Sequence, residues 1–352
     1  MYAVLIIPFI NRNTIEDCIS SFSHAARNYG VPIICIYNGP DNNVESEKCD
    51  SQVFIIGHEQ SENIALTLSR LAKYPKEFLF GCQSYNRSYG GASNMVLGIG
   101  ISCGVERIFK IDDDCRQYNL TRSWFRTAIN LPSNKTTIYY GNYVEDSPKF
   151  HAKIPNTTLI QLIRFVYPVN MCIDARTEMA KLQIITIKNG NLSIPTQAAK
   201  QACYPVLHAK NNNIHCRGEV YYWSRQLRKE GFSFQHETEM RLMHKPAMEE
   251  EITYWISALL LAYDLSYIDR AWYSSNAVPS FTERRSHLKE FRSWMAHSEW
   301  GDINILSLLN NISEEDSYLL SEAVYFRKKE RTQAWHRIMA ADLEIIKSII
   351  SI

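Results

Sequence analysis

Three consecutive aspartates, Asp112, Asp113 and Asp114, follow the short apolar run in "RIFKIDDDC". Adjacent like charges repel, so a chain that carries three of them needs something to hold them. Carboxylates at i and i+2 leaving a strand can converge on a hard cation, Mn2+ or Mg2+, which takes oxygen ligands and shares itself with phosphates. The other reading is a capped helix start, one aspartate as N-cap and its neighbours favoured by the macrodipole. Glu219, in "CRGEVYYWSRQLRKEGF", sits where a helix should begin. It suits a general base, or simply the positive end of the helix dipole. His244, in "MRLMHKP", offers a neutral imidazole to a metal or plays a structural part.

A fourth cluster, "NRSYGGASNMVLGIGISCG" (86–104), places two glycines before a helix. Such a turn lets the backbone approach a ligand, with Arg87 able to reach phosphate, or it only packs a helix closely. It is neither GxGxxG nor a Gly-Lys-Ser/Thr phosphate loop. Two other acidic motifs are excluded. A calcium-binding EF-hand loop needs Gly at its sixth position, and Gln117 stands there. An aspartyl-phosphate phosphatase motif follows a first strand and has Thr or Val where this chain has Arg116.

The elements that must position these residues read as α/β. "YAVLIIPF" (2–9), "PIICIYN" (32–38), "QVFIIG" (52–57) and "RIFKID" (107–112) are apolar runs suited to buried parallel strands. Helices are expected after the first strand, with Thr14 as N-cap and Gly30 past the end, over 61–73, over 90–104 and over 121–131. A strand over 137–144 and a helix over 218–232 closed by Gly231 follow, while 77–82 and 146–215 resist assignment. The aspartates therefore fall at the C-terminal end of a central strand, where open α/β sheets collect ligands. A boundary is expected near 247, dividing residues 1–246 from a helical region, 247–352.

Composition narrows the class. Net charge is +1, from 38 basic and 37 acidic residues, so the basic excess of a duplex nucleic-acid binder is missing and no nucleic-acid partner is expected. Nine cysteines form no CxxC pair, an odd number that fits a reducing compartment. "MYAVLIIPFINRN" lacks a basic n-region and reads as a strand, and "ITYWISALLLAYDL" (252–265) is too short to span a bilayer. A cytoplasmic protein is expected, with peripheral contact at the inner face of a membrane as a further role for the basic clusters "FTERRSHLKEFR" and "YFRKKERTQAWHR". A solvated helix face is the plainer reading of those clusters. Capping an acceptor site and forming a homodimer are the other roles open to the C-terminal helices.

In their order along the chain, "YNGPD", "NRSYGGASNMVLGIGISCGVERIFKIDDD", "RGE" and "HKP" resemble the GT-A glycosyltransferases, in particular the family 2-like bacterial enzymes. The resemblance covers roughly residues 1–246. It implies a GT-A fold, a Rossmann-like, mostly parallel sheet flanked by helices, and transfer of a sugar from a nucleotide-sugar donor to a hydroxyl acceptor. The donor it implies is a UDP-sugar, and the acceptor a glycan, a lipid-linked sugar or another hydroxyl compound, in glycan or polysaccharide biosynthesis. Asp112 and Asp114 match the outer positions of the family's DxD motif: Asp114 would bind Mn2+ or Mg2+, Asp112 the metal or the ribose, and a shifted frame would bring in Asp113. His244 matches the late metal-binding histidine, and Glu219 the base of inverting members. Pro8, Asn11 and Arg12 after the first strand, Asn38 and Asp41 after the second, and Arg87 and Asn94 before and on the small-residue helix match the nucleotide side. The chain departs from the family at "YNGPD", where an acidic residue usually follows strand two directly, and at "RGEV", where Val220 replaces a second carboxylate. A retaining transferase and a non-catalytic nucleotide-sugar-binding relative are the alternatives. A sugar-nucleotide pyrophosphorylase would need a glycine-rich loop where "PFINRNTIE" has no glycine.

Overall fold

The computed structural model describes residues 2–10, 12–39, 44–81, 89–118, 123–144, 157–158, 161, 187, 189–207, 219–244, 281–301, 304–310 and 327–350. The first apolar run forms β1 (Ala3–Phe9), followed by α1 (Arg12–Asn28), β2 (Ile33–Tyr37), the short β3 (Glu47–Lys48) and β4 (Val53–Ile56). Then come α2 (His58–Ala72), the single turn α3 (Lys76–Leu79), α4 (Tyr89–Ser102) and β5 (Arg107–Ile111). The strand order is β3-β4-β2-β1-β5-β8-β7-β9-β6, where β6 is Cys115–Gln117, β7 Thr137–Val144, β8 Asn191–Pro195 and β9 Ser233–His244.

From β4 through β2 and β1 to β5 every ladder is parallel. β8 then runs antiparallel to β5 and to β7, β9 runs parallel to β7, and β6 pairs antiparallel with the end of β9. The chain winds outward from β1 to β2 and β4, then returns to lay β5 on the other side of β1. That reversal opens a crevice at the carboxyl ends of β1 and β5, the topological switch point of an open α/β sheet.

Alternation along the buried strands supplies two cores. Val4, Ile6, Ile34, Ile36 and Ile108 face one side, against α2, α4 and the helices below. Leu5, Ile7, Ile33, Cys35, Phe109 and Ile111 face the other, against α1 and α5 (Trp124–Ile129). Further helices among the described residues are α6 (Thr196–Gln201), α7 (Glu219–Lys229), α8 (Phe281–His297), α9 (Ile305–Asn310), α10 (Lys328–Ala340) and α11 (Glu344–Ile350). The boundary expected near 247 lies outside the described residues. Beyond it, Trp335, Ile338, Ile346 and Ile350 join the core cluster that contains Val4 and Ile6, and the Trp335 indole donates to Ala199 O at 3.0 Å. The expected segment 252–265 also lies outside the described residues, among which no helix is long and apolar enough to cross a membrane.

Two helix ends differ in how they follow local rules. α1 closes as expected: Gly30 takes φ +64°, and Val31 N–H donates to Ala26 O at 3.0 Å. Its start does not. Thr14 lies inside the first turn rather than at the cap, and its hydroxyl donates instead to Asp113 Oδ2 at 3.0 Å. A distant carboxylate has captured the side chain that local sequence assigned to the cap.

Candidate active site

β5 ends at Ile111 and the next three residues turn back, Cys115 N–H donating to Asp112 O at 3.1 Å. Each aspartate then faces a different partner, which is how three adjacent charges are tolerated. Asp112 Oδ1 accepts from Lys110 Nζ at 3.3 Å and its Oδ2 from the Tyr143 hydroxyl at 3.1 Å. Asp113 Oδ2 accepts from Ile10 N–H at 3.3 Å as well as from Thr14. Asp114 Oδ2 meets His244 Nε2 at 3.1 Å. Arg116 clamps the turn to α1, donating to Asp113 O at 3.0 Å and Thr14 O at 3.0 Å.

The electrostatics separate two of these carboxyls. Burial works to raise Asp112, but Lys110, His244 and the Tyr143 hydroxyl outweigh it and hold the group below its ordinary value. Burial, reinforced by the charge of Asp114, pushes Asp113 up to about 6. Asp113 is held to the end of β1 and to α1 through Ile10 N–H and Thr14, and it sits closer to neutrality than a free aspartate.

His244 arrives by register. β9 pairs with β6 so that Cys115 stands opposite His244, which sets the imidazole beside the residue preceding Cys115, Asp114. The ring also stacks on Tyr143, centroids 4.5 Å apart and planes 10° apart. A bulge in the β7–β9 ladder, between Tyr140 and Asn142, adjusts the strand before this point. Asn191 pins that bulge, its amide donating to Met240 O at 2.8 Å and its carbonyl accepting from the Trp124 indole at 2.8 Å.

Glu219 begins α7 and is buried, 4% exposed. Its Oε1 accepts from Asn189 Nδ2 at 3.0 Å, and the same amide reaches Ser93 Oγ at 3.2 Å. The Asn189 backbone carbonyl accepts from Lys110 Nζ at 2.7 Å. One residue thus ties Glu219 to the lysine that holds Asp112. Gly190 fits beneath them because it lacks a side chain: a Cβ there would overlap Asp112 Oδ2 and the Tyr143 hydroxyl.

On the nucleotide side, Pro8 lies on β1 opposite Ile36, and Asn38 follows β2 buried, its N–H donating to Phe9 O at 2.8 Å. Both are at the carboxyl edge that carries the aspartates. Arg12 is exposed there and pairs with Glu47 at 2.9 Å and Glu16 at 3.2 Å. Asn11, Asp41 and Arg87 lie outside the described residues. Asn94 does not take the ligand-facing place expected of it. It is fully buried, its amide donates to Leu79 O at 2.7 Å and Tyr204 O at 3.0 Å, and its carbonyl accepts from Tyr204 N–H at 2.7 Å. Those three bonds occupy it with the chain's own backbone. The paired glycines serve the same packing: side chains at Gly90 and Gly91 would strike the carbonyls of Pro205 and Phe80.

Lys110, Tyr143, Asn189 and Gly190 escaped the sequence reading. The signal for Lys110 was present, since a lysine inside a buried strand needs a partner. Asn189 and Gly190 lie in the segment that resisted assignment.

The donor set suits a divalent cation in part. Among the described residues no group of three or more His, Cys, Asp or Glu side chains is arranged around one point. Asp114 and His244 would supply one carboxylate and one imidazole, leaving the other positions of Mn2+ or Mg2+ to phosphate oxygens and water. Such a partial set is the kind that binds a metal together with a phosphorylated substrate.

No protein-family model and no curated protein matches the chain. Among solved structures it is similar to GalNAc-T7 with UDP, GalNAc and Mn2+, at 10% identity and a TM-score of 0.42, over 99% of this chain and 57% of that one. It therefore spans little more than half the length of that protein. It is also similar to glucosyl-3-phosphoglycerate synthase from Mycobacterium tuberculosis with Mn2+, UDP and phosphoglyceric acid, at 12% identity and a TM-score of 0.44, over 80% of each chain. Mannosyl-3-phosphoglycerate synthase from Rubrobacter xylanophilus matches at 10% identity and a TM-score of 0.39, over 79% of this chain and 76% of that one.

Proposed function

We propose that the chain is a metal-dependent glycosyltransferase of GT-A type, moving a sugar from a nucleotide-sugar donor, a UDP-sugar, to a hydroxyl acceptor. The observation that carries this reading is the meeting of Asp114 and His244. They are 130 residues apart in sequence, both are cation candidates on sequence grounds, and the β6–β9 register sets them 3.1 Å from each other. Their place at the switch point of the sheet fits a nucleotide site.

In this reading Asp114 and His244 hold Mn2+ or Mg2+, and Asn38, Pro8 and Arg12 border the nucleotide. When bound, the metal neutralises charge on the departing nucleoside diphosphate as a Lewis acid. Glu219 is the base that takes the proton of the acceptor hydroxyl, with inversion at the sugar carbon, and the Asn189 amide, donating to its Oε1, orients the carboxylate for that task. The acceptor is a glycan, a lipid-linked sugar or another hydroxyl compound of glycan or polysaccharide biosynthesis.

The experiment is a donor-hydrolysis and transfer assay over a panel of nucleotide sugars with Mn2+ or Mg2+. Metal-dependent turnover, lost on Asp114→Ala, supports the reading. Glu219→Gln should abolish transfer while leaving Mn2+-dependent nucleotide binding in place. Equal turnover by wild type and Asp114→Ala would remove the metal assignment.

A further inference from the structure

Lys110 is 2% exposed, the only buried lysine among the described residues, and nothing above gives it a part in the reaction. A buried ammonium is costly unless paired and hydrogen-bonded. The neighbouring buried cation on β5, Arg107, is satisfied by Ser193 Oγ and the carbonyls of Pro132 and Asn134, at the strand's other end. Lys110 instead points toward the acidic turn, with Asp112 Oδ1 and Asn189 O as its acceptors. The second oxygen of Asp112 is taken by the Tyr143 hydroxyl. Both oxygens of Asp112 thus have donors within the chain, whereas among the described residues Asp114 meets the imidazole of His244 and the weak thiol donor of Cys115 at 3.8 Å.

We propose that Lys110 is a built-in countercharge that keeps Asp112 out of the cation's ligand set and lowers the site's affinity for divalent metal, leaving Asp114 and His244 as the side chains that hold it. Asp112 then acts as a positioning residue, anchoring Tyr143, on which the His244 ring stacks. The inference rests on the metal-dependent reading above and decides the frame of the three aspartates. Its physical basis is that the count of formal charges around a hard-cation site sets its affinity. Removing Lys110 alone adds one net negative charge, removing Asp112 alone subtracts one, and removing both restores the balance.

The test is calorimetric titration of Mn2+ into the full chain, alone and with UDP present, with thermal melts of every variant. Lys110→Met should bind Mn2+ about tenfold more tightly, a change of about 1.4 kcal/mol. Lys110→Arg should match wild type within about twofold, and Lys110→Met/Asp112→Asn within about threefold. Should Lys110→Met alone fail to fold, the double variant carries the test, because it removes both members of the buried pair together. A double variant that loses as much affinity as Asp114→Asn makes Asp112 a ligand and overturns the proposal. A folded Lys110→Met that binds Mn2+ no more tightly than wild type overturns it as well. In both cases Mn2+ binding by wild type, weakened by Asp114→Asn, leaves the functional reading standing. A wild type that binds Mn2+ neither alone nor with UDP removes that reading and this inference with it.

Discussion

Gly190→Ala tests the packing under the acidic turn. The added methyl would overlap Asp112 Oδ2 and the Tyr143 hydroxyl, so the carboxylate must leave its position. Its 3.1 Å bond from Tyr143 is lost in that movement. A hydrogen bond to a charged group is worth about 1.5–3 kcal/mol. Against that, alanine restricts the unfolded chain and returns about 0.4–1 kcal/mol. Gly190 is not among the glycines with positive φ, so no further backbone strain enters. The net expectation is a loss of about 1–2 kcal/mol, read from guanidinium denaturation of both proteins at pH 7.5. Placed in an Asp112→Ala/Tyr143→Phe background, the same change should cost less than about 0.5 kcal/mol, since both obstructing oxygens are gone. Wild-type stability in Gly190→Ala, or an undiminished cost in that background, would refute the placement of Asp112 against residues 189–190.

Trp335→Ala should cost about 3–5 kcal/mol in the same denaturation assay, because the indole is fully buried and bonded to Ala199 O. A cost under about 1 kcal/mol would mean that α10 is peripheral to the sheet's core. Asp50 gives a pH dependence remote from the acidic turn. It is held below its ordinary value by the N–H of Gln52, against the opposing effect of burial, with Arg27 and the N–H of Val53 adding to the lowering. A depressed carboxyl contributes stability that is present above the unfolded value, about 3.9, and is lost as pH falls through the folded one. The stability difference between wild type and Asp50→Asn should therefore hold at pH 5 and above and shrink toward pH 3, measured by denaturant midpoints.

The parallel half of the sheet was legible because its strands are continuous apolar runs. β1, β2, β4 and β5 fall where "YAVLIIPF", "PIICIYN", "QVFIIG" and "RIFKID" place them. β7 matches its expected range, 137–144. β9 was not legible, because "SFQHETEMRLMH" is largely polar and half exposed, held by pairing with β7 and β6 rather than by an apolar pattern. For the same reason His244 could be marked as a candidate from sequence, but its meeting with Asp114 is a property of register. β8 is short and mixes buried polar with apolar residues, and its decisive neighbours are Asn189 and Gly190, placed by partners far away in sequence such as Glu219 and Asp112. Asn94 shows the converse. The family resemblance alone put it on the nucleotide side, and the fold shows its amide held by the carbonyls of Leu79 and Tyr204.

Mn2+-dependent binding of UDP, measured by calorimetry on wild type, Asp114→Asn and His244→Ala, tests the account most directly. Wild type should bind UDP in millimolar Mn2+ and lose that binding in EDTA, and each variant should bind at least about tenfold more weakly. UDP binding that is indifferent to Mn2+ and to both substitutions, or no UDP binding under any of these conditions, would contradict it.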